Sequence, residues 1–130
     1  HVTVVNRTAT NAEATAALAA RAGATASVGA LADVRSADIV VNATSVGMGG
    51  SSLPCDPASL HARQVVADIV YHPRETALLH AARAAGATTV DGLGMLVHQA
   101  ALQQQLWHGA LPDVGAMAAA AERELAARRQ

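Results

Sequence analysis

Apolar side chains follow two alternating patterns along this chain: short β-branched runs, and longer segments in which apolar residues return every three or four positions. The short runs are typical of buried β-strands, and the longer segments are typical of helices with one apolar face. Glycine, proline or polar clusters separate most of these elements. The predicted strands span residues 2–5, 25–28, 39–43, 65–70 and 88–90.

Four helices are predicted between and after these strands. In the first, Thr10 and Glu13 fit a capping box, whose side chains satisfy free backbone donors, and Gly23 ends the helix. The predicted helices span residues 10–22, 75–85, 95–107 and 114–129. The last is interpreted as a packing helix with a solvated charged side, formed by Glu122, Arg123, Glu124, Arg128 and Arg129.

The alternation of strands and helices predicts the α/β class. Strands that are apolar throughout belong to a mostly parallel sheet with helices on both faces. The right-handed crossover rule then favours a doubly wound, Rossmann-like topology. The chain has 130 residues, and we expect one domain over residues 1–130. Because a strand-like run begins at the second residue, we also expect the chain to be a portion of a longer protein.

Composition narrows the class of function. The chain is 52% apolar and 15% charged with a net charge of −1, which excludes a disordered tail and argues against a basic nucleic-acid binder. All nine basic side chains are arginines, so a mechanism that needs a lysine cannot be completed within this chain. The single cysteine and the lack of a long apolar run or a signal peptide predict a cytoplasmic protein without a membrane partner.

The residues that directly follow the strands carry the candidate chemistry, because doubly wound folds bind ligands beyond the carboxyl ends of their strands. Asn6, Arg7 and Thr8 follow the first strand, without the acidic residue that accepts the ribose 2′-hydroxyl of NAD. Arg7 offers a planar fork of donors that suits the 2′-phosphate of NADP, and a helix N-terminus follows. The alternative is a surface arginine beside a turn threonine, which this tripeptide alone favours.

Three other features are interpreted as structural. The glycine-rich stretch 47–52 lacks the lysine and the spacing of a phosphate loop, and we expect a flexible loop there. The histidines lack metal-ligand spacing, so no metal site is predicted. Cys55 is expected to be an unreactive loop thiol.

Four segments occur in order along the chain: NRT at 6–8, NATSVGM at 42–48, DIVYHP at 68–73 with Glu75-Thr76 and Leu78-Leu79, and DGLGMLVHQAA at 91–101 with Trp107-His108-Gly109. Together they resemble the C-terminal, cofactor-binding half of the shikimate dehydrogenase family. The first segment is short and weakly specific, whereas the last is long and highly specific. The resemblance extends over essentially the whole chain.

The resemblance implies that Asn6, Arg7 and Thr8 contact the adenine ribose and the 2′-phosphate of NADP, with Arg7 at the centre. Many family members have a second basic residue where this chain has Asn11, so the choice between NADP and NAD stays open. The other cofactor-binding positions that the resemblance implies are Thr44, Ser45, Ile69, Gly92 and Met95.

Tyr71 and Gln99 match family side chains that hydrogen-bond the substrate from the cofactor side. Both are neutral, so they can hold a polyhydroxylated ring without adding charge beside the hydride. Gln99 lies one helical turn after Met95, so both side chains can face one cleft. Without the resemblance, Tyr71 would be interpreted as a phenol that covers the sheet edge and Gln99 as one of several surface glutamines.

The family's first strand, glycine-rich pyrophosphate turn and N-terminal substrate domain have no counterpart in this chain. In the family that domain supplies the catalytic lysine and aspartate, so no catalytic residue is predicted here and the chain alone is expected to be inactive. The expected function of the parent protein is the NADPH-dependent reduction of 3-dehydroshikimate to shikimate in aromatic amino-acid biosynthesis. The alternatives are an NAD-preferring quinate/shikimate dehydrogenase and a truncated, non-catalytic dinucleotide-binding module.

Overall fold

Strands and helices alternate in the computed structural model, which describes residues 1–127. The strands are β1 (Val2–Val4), β2 (Ala26–Val28), β3 (Ile39–Asn42), β4 (Val65–Asp68) and β5 (Thr88–Val90). The α-helices are α1 (Ala9–Arg21), α2 (Ala77–Ala84), α3 (Gly92–His108) and α4 (Val114–Ala127). Two short 3-10 helices, Leu31–Ser36 and Pro57–Ser59, lie in the connections. The chain divides into two compact units, His1–Ala37 and Asp38–Gln130.

The first unit contains a two-stranded parallel sheet, one α-helix and the 3-10 helix Leu31–Ser36. β1 pairs with β2, with Val2 aligned to Ala26, and α1 packs against both strands. The buried residues of α1 are Ala12 and Ala16, whose small side chains allow the helix to lie close to the sheet.

The second unit contains a three-stranded parallel sheet in the order β3-β4-β5. α2 packs against β4 and β5, and Leu78 and Leu79 of α2 and Val66 of β4 are all buried. Leu93 and Val97 of α3 pack against Leu125 of α4. Burial of each such aliphatic side chain contributes about 1.5–3 kcal/mol.

The α/β class and the parallel pairing are confirmed, but the strands form two sheets where the sequence predicted one. β1 and β2 form one sheet, and β3, β4 and β5 form the other.

The burial of a strand's side chains depends more on where the strand lies in the sheet than on the strand's amino-acid composition. The sequence predicted that β1 and β3 would be buried, and this is wrong: Val2 is 41% exposed, Ile39 64% and Val41 56%. Both are edge strands, whereas β4 has a neighbour on each side and α2 against it. An apolar run predicts a strand, but only the pairing order decides which strand lies in the core.

Two helices begin earlier than their apolar spacing predicts. α1 begins at Ala9 with Thr8 as its N-cap, so the predicted capping box at Thr10 is wrong. α3 begins at Gly92, where the Asp91 carboxylate accepts a hydrogen bond from the Leu93 amide at 3.1 Å. The cap side chain, rather than the first apolar residue, determines where α3 begins.

The described part of α4 is charged on its outer side, as predicted: Glu122, Arg123 and Glu124 are exposed. Arg128 and Arg129 lie outside the described residues. None of the helices within residues 1–127 combines the length and the apolarity needed to cross a membrane.

The thiol of Cys55 is buried in the long loop between β3 and β4. Its burial raises the pKa of the thiol above the ordinary value, and the charge of Asp56 raises this pKa further. Because the thiolate is the reactive form, we expect iodoacetamide at neutral pH to label Cys55 much more slowly in the folded protein than in urea. Mass spectrometry of the peptide that contains Cys55 measures both rates, and equal rates would contradict the expectation.

Candidate functional site

The turn after β1 leaves a cationic side chain free. The Asn6 side-chain oxygen accepts a hydrogen bond from the Thr8 amide at 2.9 Å, which fixes the turn, and all three residues from Asn6 to Thr8 are exposed. Arg7 has no hydrogen bond or ion pair with any residue in the range 1–127. Its guanidinium is therefore available for a ligand.

The beginning of α1 adds a second feature that favours an anion. Thr8 is the N-cap, but its hydroxyl caps no backbone amide, and the first turn of the helix contains no acidic residue. The positive end of the helix dipole therefore lies beside Arg7 without a compensating charge from its own first turn. A phosphate group would fit these donors, whereas neither residues 6–8 nor the first turn of α1 supplies a carboxylate for the ribose diol of NAD.

The loop after β3 is shaped by a buried amide. Asn42 is 4% exposed, and its oxygen accepts hydrogen bonds from the Thr44 amide at 3.2 Å and from the Thr44 hydroxyl at 2.7 Å. Its nitrogen donates to the Val46 carbonyl at 3.0 Å. The Thr44 hydroxyl thus donates its proton to Asn42 within the loop. The neighbouring Ser45 is exposed.

Ile69 and Gly92 are brought together where α3 meets the end of β4. A Cβ atom on Gly92 would lie 2.8 Å from the Val70 carbonyl oxygen and closer still to that of Ile69. The resemblance makes Gly92 a cofactor-binding position. Within the chain itself a glycine is needed there because backbone atoms fill the space beside it.

The two predicted substrate-binding side chains are both exposed and free. Tyr71 follows β4 and is 40% exposed, and Gln99 lies on the exposed side of α3, one turn after Met95. Neither the Tyr71 phenol nor the Gln99 amide makes a side-chain hydrogen bond within residues 1–127. Free polar groups of this kind can bind a hydroxylated ligand without first breaking an internal bond.

Arg74 links the loop after β4 to the beginning of α3. Its Nε lies 2.7 Å from Asp91, and its terminal nitrogen lies 3.3 Å from Glu122 on α4. The hydrogen bond and the charge of Asp91 raise the pKa of the Arg74 guanidinium, with a smaller contribution from Glu122. Sequence reasoning assigned Arg74 no role, and no local signal indicates these distant partners.

A cavity of about 230 Å³ adjoins this ion pair. Its arginines are paired with carboxylates, Arg74 with Asp91 and Arg83 with Glu75, so it offers little net charge to a ligand. None of the predicted cofactor or substrate residues lines it. We therefore do not assign it to the candidate site. The cavity is lined by Arg74, Glu75, Leu79, Arg83, Thr89 and Asp91.

Sequence reasoning gave no role to three buried polar residues near these loops. Asn42, Asp68 and Thr76 are 4%, 2% and 1% exposed. One sequence signal could have identified two of them: each of two neighbouring apolar runs carries a single polar residue. Asn42 follows the first run, and Asp68 interrupts the second. Buried polar groups of this kind need hydrogen-bond partners, and the register of the two strands supplies them.

The family model of the shikimate 5'-dehydrogenase C-terminal domain matches residues 92–122. A shikimate dehydrogenase (NADP(+)) from Methylobacterium radiotolerans is 50% identical over 115 residues, which are 87% of this chain and 41% of that protein. The chain is thus similar to the C-terminal part of shikimate dehydrogenases.

Solved structures agree with this assignment. The chain is similar to shikimate 5-dehydrogenase from Thermus thermophilus, solved with NADP(H) and shikimate, with a TM-score of 0.81 and 37% identity over 93% of this chain and 45% of that one. It is also similar to quinate dehydrogenase from Corynebacterium glutamicum in complex with NAD, with a TM-score of 0.82 and 36% identity over 89% of this chain and 44% of that one. The chain spans less than half the length of the curated relatives that it matches.

Proposed function

We propose that this chain is the cofactor-binding portion of an NADP-dependent shikimate dehydrogenase. The observation that carries the proposal is the free Arg7 guanidinium beside the uncompensated N-terminus of α1. This turn follows a strand, as a dinucleotide-binding turn does, in a chain that is 50% identical to an NADP-dependent relative over 115 residues. Residues 1–130 would then form one partial dinucleotide-binding domain.

In this proposal Asn6, Arg7 and Thr8 hold the adenine ribose and its 2′-phosphate, with Arg7 supplying the charge-assisted hydrogen bonds. The other cofactor contacts would come from Thr44, Ser45, Ile69, Gly92 and Met95. When it is bound, NADPH supplies the hydride that reduces the ketone of 3-dehydroshikimate. Since the Thr44 hydroxyl proton is used by Asn42, Thr44 would contribute mainly by shaping its loop.

Tyr71 and Gln99 would bind the substrate from the cofactor side. A phenol and a carboxamide both serve here as hydrogen-bonding groups, and an amide is not a base at all. Proton transfer would therefore fall to the N-terminal substrate domain of the parent protein, with its lysine and aspartate. We also infer a cytoplasmic location and a role in aromatic amino-acid biosynthesis, which the single cysteine and the similarity to shikimate dehydrogenases support.

A second candidate is an NAD-preferring quinate/shikimate dehydrogenase. Asn11, one turn after Thr8 on α1, is neutral where many family members have a second cation. The similarity to a quinate dehydrogenase in complex with NAD favours the same alternative. Arg7 and the missing acidic residue argue against it.

Turnover measurements on the full-length protein distinguish these candidates. The assay combines shikimate or quinate with NADP or NAD, and follows the reduced nicotinamide by absorbance. We expect the highest kcat/KM with shikimate and NADP. A preference for NAD would favour the second candidate, and the absence of turnover with all four combinations, with NADP still bound, would indicate a non-catalytic dinucleotide-binding module.

Replacing Gln99 by alanine is expected to raise the KM for shikimate by about 2–12-fold, the effect of losing one neutral hydrogen bond of about 0.5–1.5 kcal/mol. The KM for NADP should stay nearly unchanged.

Tyr71→Phe should also raise the KM for shikimate and lower kcat somewhat, because the substrate carbon is less well oriented. Neither change should shift the pH–rate profile.

Gln104→Ala is the matched control, because Gln104 is an exposed glutamine on α3 that lies roughly 140° around the helix from Gln99. Its kinetics should equal those of the unsubstituted protein. A shifted pH optimum in Tyr71→Phe would overturn the assignment, as would a Gln99→Ala protein that loses NADP affinity but keeps its KM for shikimate.

A further inference from the structure

A buried polar network joins the carboxyl ends of two neighbouring strands. Asn42 and Asp68 are the last residues of β3 and β4, and they are aligned partners in the parallel register. The Asn42 side-chain nitrogen donates to the Asp68 carboxylate at 3.0 Å, and both side chains are buried. Loss of such a bond leaves a buried polar group unsatisfied, which destabilises the folded protein.

The Asp68 carboxylate also holds both ends of the loop that carries Tyr71. One oxygen, Oδ1, accepts from the Val70 amide at 3.0 Å, directly before Tyr71. The other, Oδ2, accepts from the Thr76 hydroxyl at 2.7 Å, and the Thr76 oxygen in turn accepts from the Leu79 amide at the N-terminus of α2. The carboxylate thus fixes the first and the last part of the 69–76 loop.

Through Asn42 the same carboxylate reaches the loop of the neighbouring strand. The Asn42 nitrogen divides its two protons between Asp68 and the Val46 carbonyl, which orients the amide so that its oxygen faces Thr44. Asp68 therefore constrains the 43–47 loop indirectly and the 69–76 loop directly. Every side-chain nitrogen and oxygen buried within the described residues has a partner.

We propose that Asp68 is a positioning residue, which sets the cofactor-side loop at 43–47 and the substrate-side loop at 69–76 relative to each other. The proposal rests on the proposed function, which assigns Thr44 and Ser45 to the cofactor and Tyr71 to the substrate. Small displacements of such groups lower the rate strongly: an error of about 1 Å can lower it 100-fold. Asp68 itself is buried, and its carboxylate is bonded to Asn42, Val70 and Thr76.

The test compares kinetics and amide hydrogen exchange in the full-length protein. Asp68→Ala should raise the KM for both shikimate and NADP by roughly ten-fold or more, and exchange should become faster in peptides that cover 43–47 and 69–76. Asp113→Ala is the matched control, because Asp113 also accepts from a backbone amide, that of Ala116 at 2.9 Å, but lies at the start of α4. The Asp113→Ala substitution should lower the melting temperature without changing the KM for shikimate or the KM for NADP.

Thr76 gives a second test if the Asp68→Ala protein does not fold. Thr76→Val keeps the shape and removes the hydroxyl, so it should raise the KM for shikimate about three-fold or more and speed exchange only in 69–76. Thr76→Ser should restore both values. Equal behaviour of the valine and serine variants, or unchanged KM values in a folded Asp68→Ala protein, would overturn the proposal.

The exchange measurement separates this proposal from the proposed function. If the unsubstituted protein does not oxidise shikimate, the proposed function fails, and the role of Asp68 is decided by exchange alone. Faster exchange in both loops of Asp68→Ala, together with the one-loop effect of Thr76→Val, supports the positioning role. Unchanged exchange in the 43–47 loop of Asp68→Ala contradicts it.

Discussion

Replacing Gly92 by alanine is expected to destabilise the protein by about 3 kcal/mol, which would lower its melting temperature by roughly 10 °C. The new Cβ atom would lie 2.8 Å from the Val70 carbonyl oxygen and nearer still to that of Ile69. Both neighbours are backbone atoms, which cannot rotate away as a side chain can. α3 would have to shift away from the end of β4, and cofactor binding should weaken with it.

Gly94→Ala is the control for this prediction. Gly94 lies in the same helix turn, but a Cβ atom there would meet nothing within 4 Å. Alanine stabilises a helix by about 0.5–1 kcal/mol relative to glycine, so this variant should melt at a slightly higher temperature. Similar melting temperatures for the two variants would show that α3 does not approach β4 as closely as described.

Replacing Arg7 by alanine is expected to weaken NADP binding about 10–150-fold, the equivalent of about 1.5–3 kcal/mol for charge-assisted hydrogen bonds, and to affect NAD much less. Arg7 has no partner within residues 1–127, so its removal breaks no internal contact. Dissociation constants for both cofactors, measured by calorimetry on the full-length protein, test the prediction directly.

Arg21→Ala removes the same charge from the other end of α1 and serves as its control. A change in overall charge alone would weaken NADP binding equally in both arginine variants. An equal loss of NADP and NAD affinity in Arg7→Ala would exclude Arg7 as the 2′-phosphate contact.

The sequence predicts the elements of this fold better than it predicts their boundaries. All five strands and four helices occur where the apolar pattern places them, because that pattern is a local property. α3 begins three residues before Met95 because the Asp91 cap and the packing of Gly92 on β4 outweigh the low helix propensity of its glycines.

Properties that depend on strand pairing could not be predicted. The exposure of Ile39 and Val41 follows from the edge position of β3, and the bond between Asn42 and Asp68 follows from the register of β3 and β4. Both properties depend on pairing between residues about 26 positions apart in the chain. A local sequence pattern does not predict such pairing. The candidate site residues came from the family resemblance.

Because α3 is anchored at its N-terminal end, the number of residues between that end and Gln99 determines where Gln99 lies and which way it faces. Gly92 fixes one end against β4, and each residue beyond it advances about 1.5 Å and rotates about 100°. Deleting one residue between Met95 and Gln99 would turn Gln99 away from the face that it shares with Met95, and a deletion between Gly92 and Met95 would turn both residues relative to the anchored end. Insertions and deletions are therefore excluded from this segment, whereas the exposed stretch at residues 48–53 could change in length without moving any strand.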